Sequence, residues 1–163
     1  MRKATHADAQ LLLHLYELRR EPQLRKARAW VLSEFKASSW EEIGPGYLKF
    51  SDADQYLRMT LAYWEMVAAL VNRGVLHAEL FFDHTGEDIV TWERVKPWVA
   101  EARAAIRFTY MRQFERMVED HLAYRKRTNA AQQALHGRDG DAKGALIART
   151  LGAPERARGR ARR

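Results

Sequence analysis

The chain contains no cysteine. That absence excludes a disulfide framework, a Cys-ligated zinc or iron–sulfur site and a cysteine nucleophile, and it fits a reducing compartment. Long apolar runs are missing too. No segment approaches the roughly 20 apolar residues needed to span a bilayer. The first such run, Leu11-Leu12-Leu13, is broken by His14 and Glu17; it is too short for a signal-peptide core, and no small-residue cleavage site follows. Gly-x-Gly-x-x-Gly and phosphate-loop patterns are absent, and Ser33, Ser38, Ser39 and Ser51 lie in no nucleophile elbow. The sequence therefore predicts a soluble cytoplasmic protein with no cofactor and no motif-borne catalytic residue.

Most of the chain also lacks an excess of charge of either sign. The net charge is +7, yet acidic and basic side chains balance over residues 1–125 and the whole excess lies in 126–163. The overall pI near 9.9 thus describes a tail. Its end, Glu155 to Arg163, reads ERARGRARR, a composition that predicts disorder. There Arg156, Arg158, Arg160, Arg162 and Arg163 can each neutralise a phosphate, which would give weak, sequence-independent, salt-dependent binding of nucleic acid. The plainer alternative is a solubilising terminus with no dedicated partner.

What is present is a helical pattern. Thr5 and Asp8 are spaced as a capping box, and Leu11, Leu12, Leu15 and Leu18 follow on one face, ending near Arg20. Pro22 suits the first turn of a second helix carrying Leu24, Ala27, Val31 and Phe35. Ser38 to Glu42 can cap one short turn; Gly44-Pro45-Gly46 stops it, and a loop runs to Phe50. Residues 54–73 are the most apolar stretch, closed by Gly74. On a helical wheel Asp54, Arg58, Glu65 and Asn72 fall within roughly 40° of one another, and nearly everything else is apolar or small. A helix with so narrow a polar stripe is expected at the centre of a bundle.

Leu76 to His84 predicts a short fourth helix. Thr85 and Asp88 can cap a segment from Ile89 to about Lys126, which Pro97 should bend or break. Beyond Pro97 two apolar stripes run side by side: Val99, Ala102, Ile106, Tyr110, Phe114 and Met117, and Phe108, Met111, Val118 and Leu122. Such a helix is wrapped by its own bundle on both faces or covered partly by another subunit. Past Thr128 the periodicity fades, with a marginal helix at 141–151. The expected fold is all-α: a helical domain at 4–127 with four to five helices, including a long Pro-kinked C-terminal one, and a flexible basic tail at 128–163.

Candidate chemistry is sparse. His77 and His84 are seven residues apart, about 10.5 Å of helix rise, too far to share a metal. His77-Ala78-Glu79 matches the H-x-E of zinc deaminases, but those sites also need cysteines. Asp120 and His121 are neighbours that point different ways. No metal site is expected, and the histidines read as solvated or partly packed. Glu65, set among Tyr63, Trp64, Met66 and Val67, is the one suggestive carboxylate. Its expected role is a buried ion pair with an arginine of the long helix, Arg103 or Arg107, which would fix helix register. Five tryptophans are many for one small core, so some of Trp30, Trp40, Trp92 and Trp98 are candidates to line a pocket or a dimer face.

The runs Leu15 to Glu21, Arg25, Ala27 to Trp30, Glu34-Phe35, Arg58-Met59, Tyr63 to Met66, Gly74 to Leu76, Glu79 to Asp83, Gly86-Glu87, Trp92, Pro97 and Glu101 to Arg103 resemble an uncharacterised, mostly bacterial all-helical family, a domain of unknown function. The resemblance spans roughly residues 10–120 and leaves the tail outside. It implies a helical fold and a soluble bacterial origin, and no catalytic residues. The leading functional expectation is a non-enzymatic protein-interaction or self-association module, a homodimer using exposed parts of the long helix. The alternatives are weak nucleic-acid association through the tail, and a small-ligand binder or enzyme with an aromatic pocket near Glu65.

Overall fold

The computed structural model describes the backbone of residues 2–150 and the side chains of 2–133. Among the described residues the fold is all-helical, with no strand. Two compact units are distinguished, Met1–Tyr124 and Arg125–Arg163. The first contains α1 (His6–Arg20), α2 (Pro22–Ser33), a single turn α3 (Trp40–Ile43) running into a 3-10 turn (Gly44–Gly46), α4 (Asp52–Asn72), a short α5 (Ala78–Phe82), α6 (Glu87–Ala105) and the start of α7 (Arg112–Thr150). The second contains the rest of α7, which runs on as helix past Thr128, where the apolar periodicity fades. The five tail arginines from Arg156 to Arg163 lie outside the described residues.

Local signals place the early elements. Thr5 accepts from the Asp8 amide while the Asp8 carboxylate accepts from the Thr5 amide, closing the capping box of α1. Pro22 opens α2 behind a Glu21 cap, and Ser51 caps α4. Gly74 sits at φ +68, a left-handed geometry that lets the chain leave α4. The core forms where α4 packs chiefly on α2, with α6 behind. Leu61, Trp64, Val67, Val95, Trp98, Phe114 and Met117 are all buried in it.

Pro97 does not break the chain. It lies inside α6, and the break falls at 106–111, where neither Gly nor Pro occurs. The expected continuous segment from Ile89 to Lys126 is therefore two helices: of its stripe residues Val99 and Ala102 lie on α6, Phe114, Met117, Val118 and Leu122 on α7, and Ile106, Phe108, Tyr110 and Met111 in the junction. The reason is positional. Pro97 deprives only the Glu93 carbonyl of a donor, and both residues are exposed, so water can replace the lost bond. Meanwhile Trp92 and Val95 before the proline, and Trp98, Val99 and Ala102 after it, are buried and anchor the helix on both sides of it. The expected caps Thr85 and Asp88 are also displaced: Gly86 occupies the N-cap of α6, and Asp88 turns inward.

Asp8 does more than cap. Its buried carboxylate also takes both terminal nitrogens of Arg2, at 2.5 and 2.6 Å, and the backbone amide of His77 at 2.8 Å, so it ties the N-terminus to the entrance of α5. The Arg2 guanidinium, then the Thr5 hydroxyl, hold this carboxyl well below the usual range. A depressed pKa adds stability that is full above the unfolded-chain value and is lost as pH falls toward the folded one. Asp8→Asn is therefore expected to lower the melting temperature at neutral pH, with the gap to wild type closing below about pH 4. Thermal melts across that range check it; a gap independent of pH would contradict the assignment.

Candidate functional site

The structure leaves a broad, mostly apolar surface open beside α4. A groove of about 950 Å³ lies against its outer face, lined by Met59, Ala62, Met66 and Ala69 on the helix. Its wall is the loop at 47–50 and the turn at 106–111. The two meet where the rings of Tyr47 and Tyr110 stand edge-on, hydroxyl to hydroxyl at 3.3 Å. Burial raises the Tyr110 phenol pKa, and the contact with Tyr47 adds to the shift.

Three residues other than glycine adopt positive φ among the described residues, and all three line this groove: Leu48 at 63°, Phe50 at 58° and Met111 at 53°. Each left-handed residue costs roughly 1–2 kcal/mol, so something must hold them. Asp54, in the first turn of α4, accepts from the amides of both Leu48 and Phe50 at 3.1 Å. Arg58, one turn on, grips the same carboxylate and lies over the Phe50 ring, 4.9 Å from its centroid. Leu48 and Phe50 are thereby presented to solvent at 57% and 66% exposure.

Met111 is held from two sides. Arg103 donates to the carbonyl oxygens of Tyr110 and Met111 and pairs with Glu115 at 2.8 Å. Glu65 reaches from α4 to the amides of Gln113 and Phe114, at 3.3 and 2.8 Å. Met111 precedes α7 and has no side-chain oxygen to cap it, so Glu65 caps that helix from another element. Among the described residues Glu65 and Arg103 are not ion-paired. They clamp the same junction through different partners, and the expected pair is replaced by Arg103–Glu115. Arg107, the alternative partner, is exposed on the wall of the groove.

The charged groups around the groove thus serve mainly to fix backbone. Both oxygens of Glu65 and both of Asp54 are engaged by amides. What remains available is apolar surface on a rigid frame, an arrangement that suits packing. None of the tryptophans lines this groove, but Trp30 lines a smaller pocket of about 210 Å³ with Phe35, Tyr47 and Leu57. Trp92 and Trp98 are buried; Trp30 and Trp40 are half-buried against Phe35 and Tyr47.

Two further clusters escaped sequence reasoning. His121 is completely buried, with Nδ1 at 2.7 Å from Asp88 of α6 and its ring stacked on Phe82 at 4.5 Å. Four arginines, Arg19, Arg20, Arg25 and Arg28, gather where α1 turns into α2. For the histidine pair no local signal exists, since the partners are 33 residues apart. The arginines were visible as charge flanking the Glu21-Pro22 break. The groove had a signal as well: Met59, Ala62, Met66 and Ala69 follow the 3-4-3 spacing of a helix-packing seam.

No described helix is long and apolar enough to cross a membrane. No curated protein and no solved structure matches the chain. The profile of a domain of unknown function, DUF4760, matches residues 4–121, the span that builds the α-helical unit and its groove. The chain belongs to the DUF4760 family.

Proposed function

We propose that this protein is a non-enzymatic self-association module in which two copies pair through the exposed seam of α4. The observation that carries this reading is the seam's own pattern. Along α4 it runs Met59, Ala62, Met66, Ala69, large and small by turns, and Met59 and Met66 are 37% and 43% exposed in the single chain. Laid antiparallel on a copy of itself about a point between Ala62 and Met66, every layer sets a methionine against an alanine. Met59 then meets the partner's Ala69, and Met66 meets the partner's Ala62. Alternation of large and small side chains is what lets facing helices interdigitate.

Two features support a second copy as the occupant. Residues 1–125 carry no net charge, so two bodies approach without net repulsion. An unbranched methionine adapts to its own image at little cost. A static light-scattering measurement on the full chain tests the reading. The expected mass is twice 19.0 kDa, falling to the single-chain value in Ala62→Glu, whose fold should be intact because Ala62 is exposed in the single chain. A wild type that stays monomeric at high concentration, or an Ala62→Glu variant that stays dimeric, overturns it.

A further inference from the structure

The arginines between α1 and α2 form a second, independent site. A cleft of about 310 Å³ is lined, among the described residues, by Arg19, Arg20, Arg25, Arg28 and Tyr16. Two of the guanidiniums are preset. Arg28 binds Glu87 through Nε and Nη2 and donates to the Arg19 carbonyl at 2.7 Å. Arg19 reaches the same carboxylate at 2.5 Å. Their side chains are only 20% and 12% exposed, so one carboxylate serves two nearly buried cations. Arg20 rests on the Tyr16 ring, 5.7 Å from its centroid. Among the described residues neither Arg20 nor Arg25 has a carboxylate within ion-pair distance.

The local balance is therefore four positive charges against Glu87 and the Glu21 carboxylate, which is turned to the Leu24 amide, in a concave site with two of the four arginines already immobilised. A surface charge cluster dissipates into water; this one is held together by Glu87 beneath it. Guanidinium forks match the oxygens of phosphate in pairs. The volume lies at the lower end of the roughly 300–1,000 Å³ usual for small-molecule sites, which favours a compact ligand over a length of nucleic acid. We propose that this cleft binds the phosphate group of a small phosphorylated molecule, with Arg19 and Arg28 as the fixed floor and Arg20 and Arg25 closing over the anion.

Inorganic pyrophosphate is the probe. Calorimetric titration into the full chain at constant ionic strength should give saturable one-site binding. The double substitution Arg20→Ala with Arg25→Ala touches neither Glu87 nor the core. It is expected to weaken binding by about a hundredfold, taking each charge-assisted contact as about tenfold. Replacing Arg160, Arg162 and Arg163 by alanine should leave the affinity unchanged. Three results overturn the proposal: no saturable binding, loss of binding only in the tail variant, or an equal response to sulfate at matched ionic strength. Retention on phosphatidic-acid vesicles without any response to pyrophosphate would assign the arginines to a lipid surface, and would overturn it too.

Discussion

Asp88→Ala is expected to destabilise the fold by about 1–3 kcal/mol, the range for leaving a buried hydrogen-bonding group without its partner. Asp88 and His121 are both wholly inaccessible to solvent, 2.7 Å apart, and they join α6 to α7. The second carboxylate oxygen of Asp88 has no hydrogen-bond partner among the described residues, so the pair is already short of compensation. Removing Asp88 takes away the acceptor that holds the imidazole, while the stack on Phe82 keeps that ring in place. Replacing both members by apolar groups of similar volume should behave differently, since exchanging both partners of a buried hydrogen bond together leaves no polar group unsatisfied and can be nearly neutral. Asp88→Leu with His121→Phe is thus expected to be more stable than Asp88→Ala. Urea unfolding followed by tryptophan fluorescence measures both. A loss under about 1 kcal/mol in Asp88→Ala would show that the pair contributes no more than an ordinary hydrogen bond.

The parts of this fold that could be read from sequence are those whose cause is local. The Thr5–Asp8 box, Pro22 at the head of α2, Ser51 before α4 and Gly74 after it each act within a few residues of where they stand. The parts that could not be read are decided at a distance. The break at 106–111 has no glycine or proline to announce it. It exists because Arg103 and Glu65 grip Tyr110, Met111 and the first amides of α7, from α6 and α4 respectively. Pro97 does not end its helix, because its cost falls on an exposed carbonyl that water can serve. From sequence Glu65 reads as a partner for an arginine; its use as a cap on another helix depends on Met111 lacking a capping oxygen. The seam on α4 was present as spacing. Which face of so apolar a helix stays bare is fixed by the loop at 47–50, and that loop depends on Asp54 holding two left-handed residues.

Glu87→Ala is expected to cost about 3 kcal/mol, near the lower bound for a broken buried pair because the three side chains keep slight access to water. The variant leaves Arg19 and Arg28 close together with nothing between them, so the loss combines absent attraction with repulsion across the α1–α2 turn. Burial pushes the Glu87 carboxyl up, but Arg28 and Arg19 outweigh it and hold the pKa below its ordinary value. Its contribution is therefore full above about pH 4.5 and disappears as the pH falls below that. Wild type and Glu87→Gln should accordingly converge in stability on acidification and diverge toward neutrality. The same residue links stability to the anion cleft. If phosphate occupies it, pyrophosphate supplies negative charge where the carboxylate was, and it should raise the melting temperature of Glu87→Ala by more than that of wild type, since a ligand stabilises by its differential affinity for the folded state. Thermal melts of both proteins with and without pyrophosphate, at one ionic strength, give the comparison. An equal rise in the two proteins would mean that the anion binds away from Arg19 and Arg28; a larger rise in the variant places the missing charge between them.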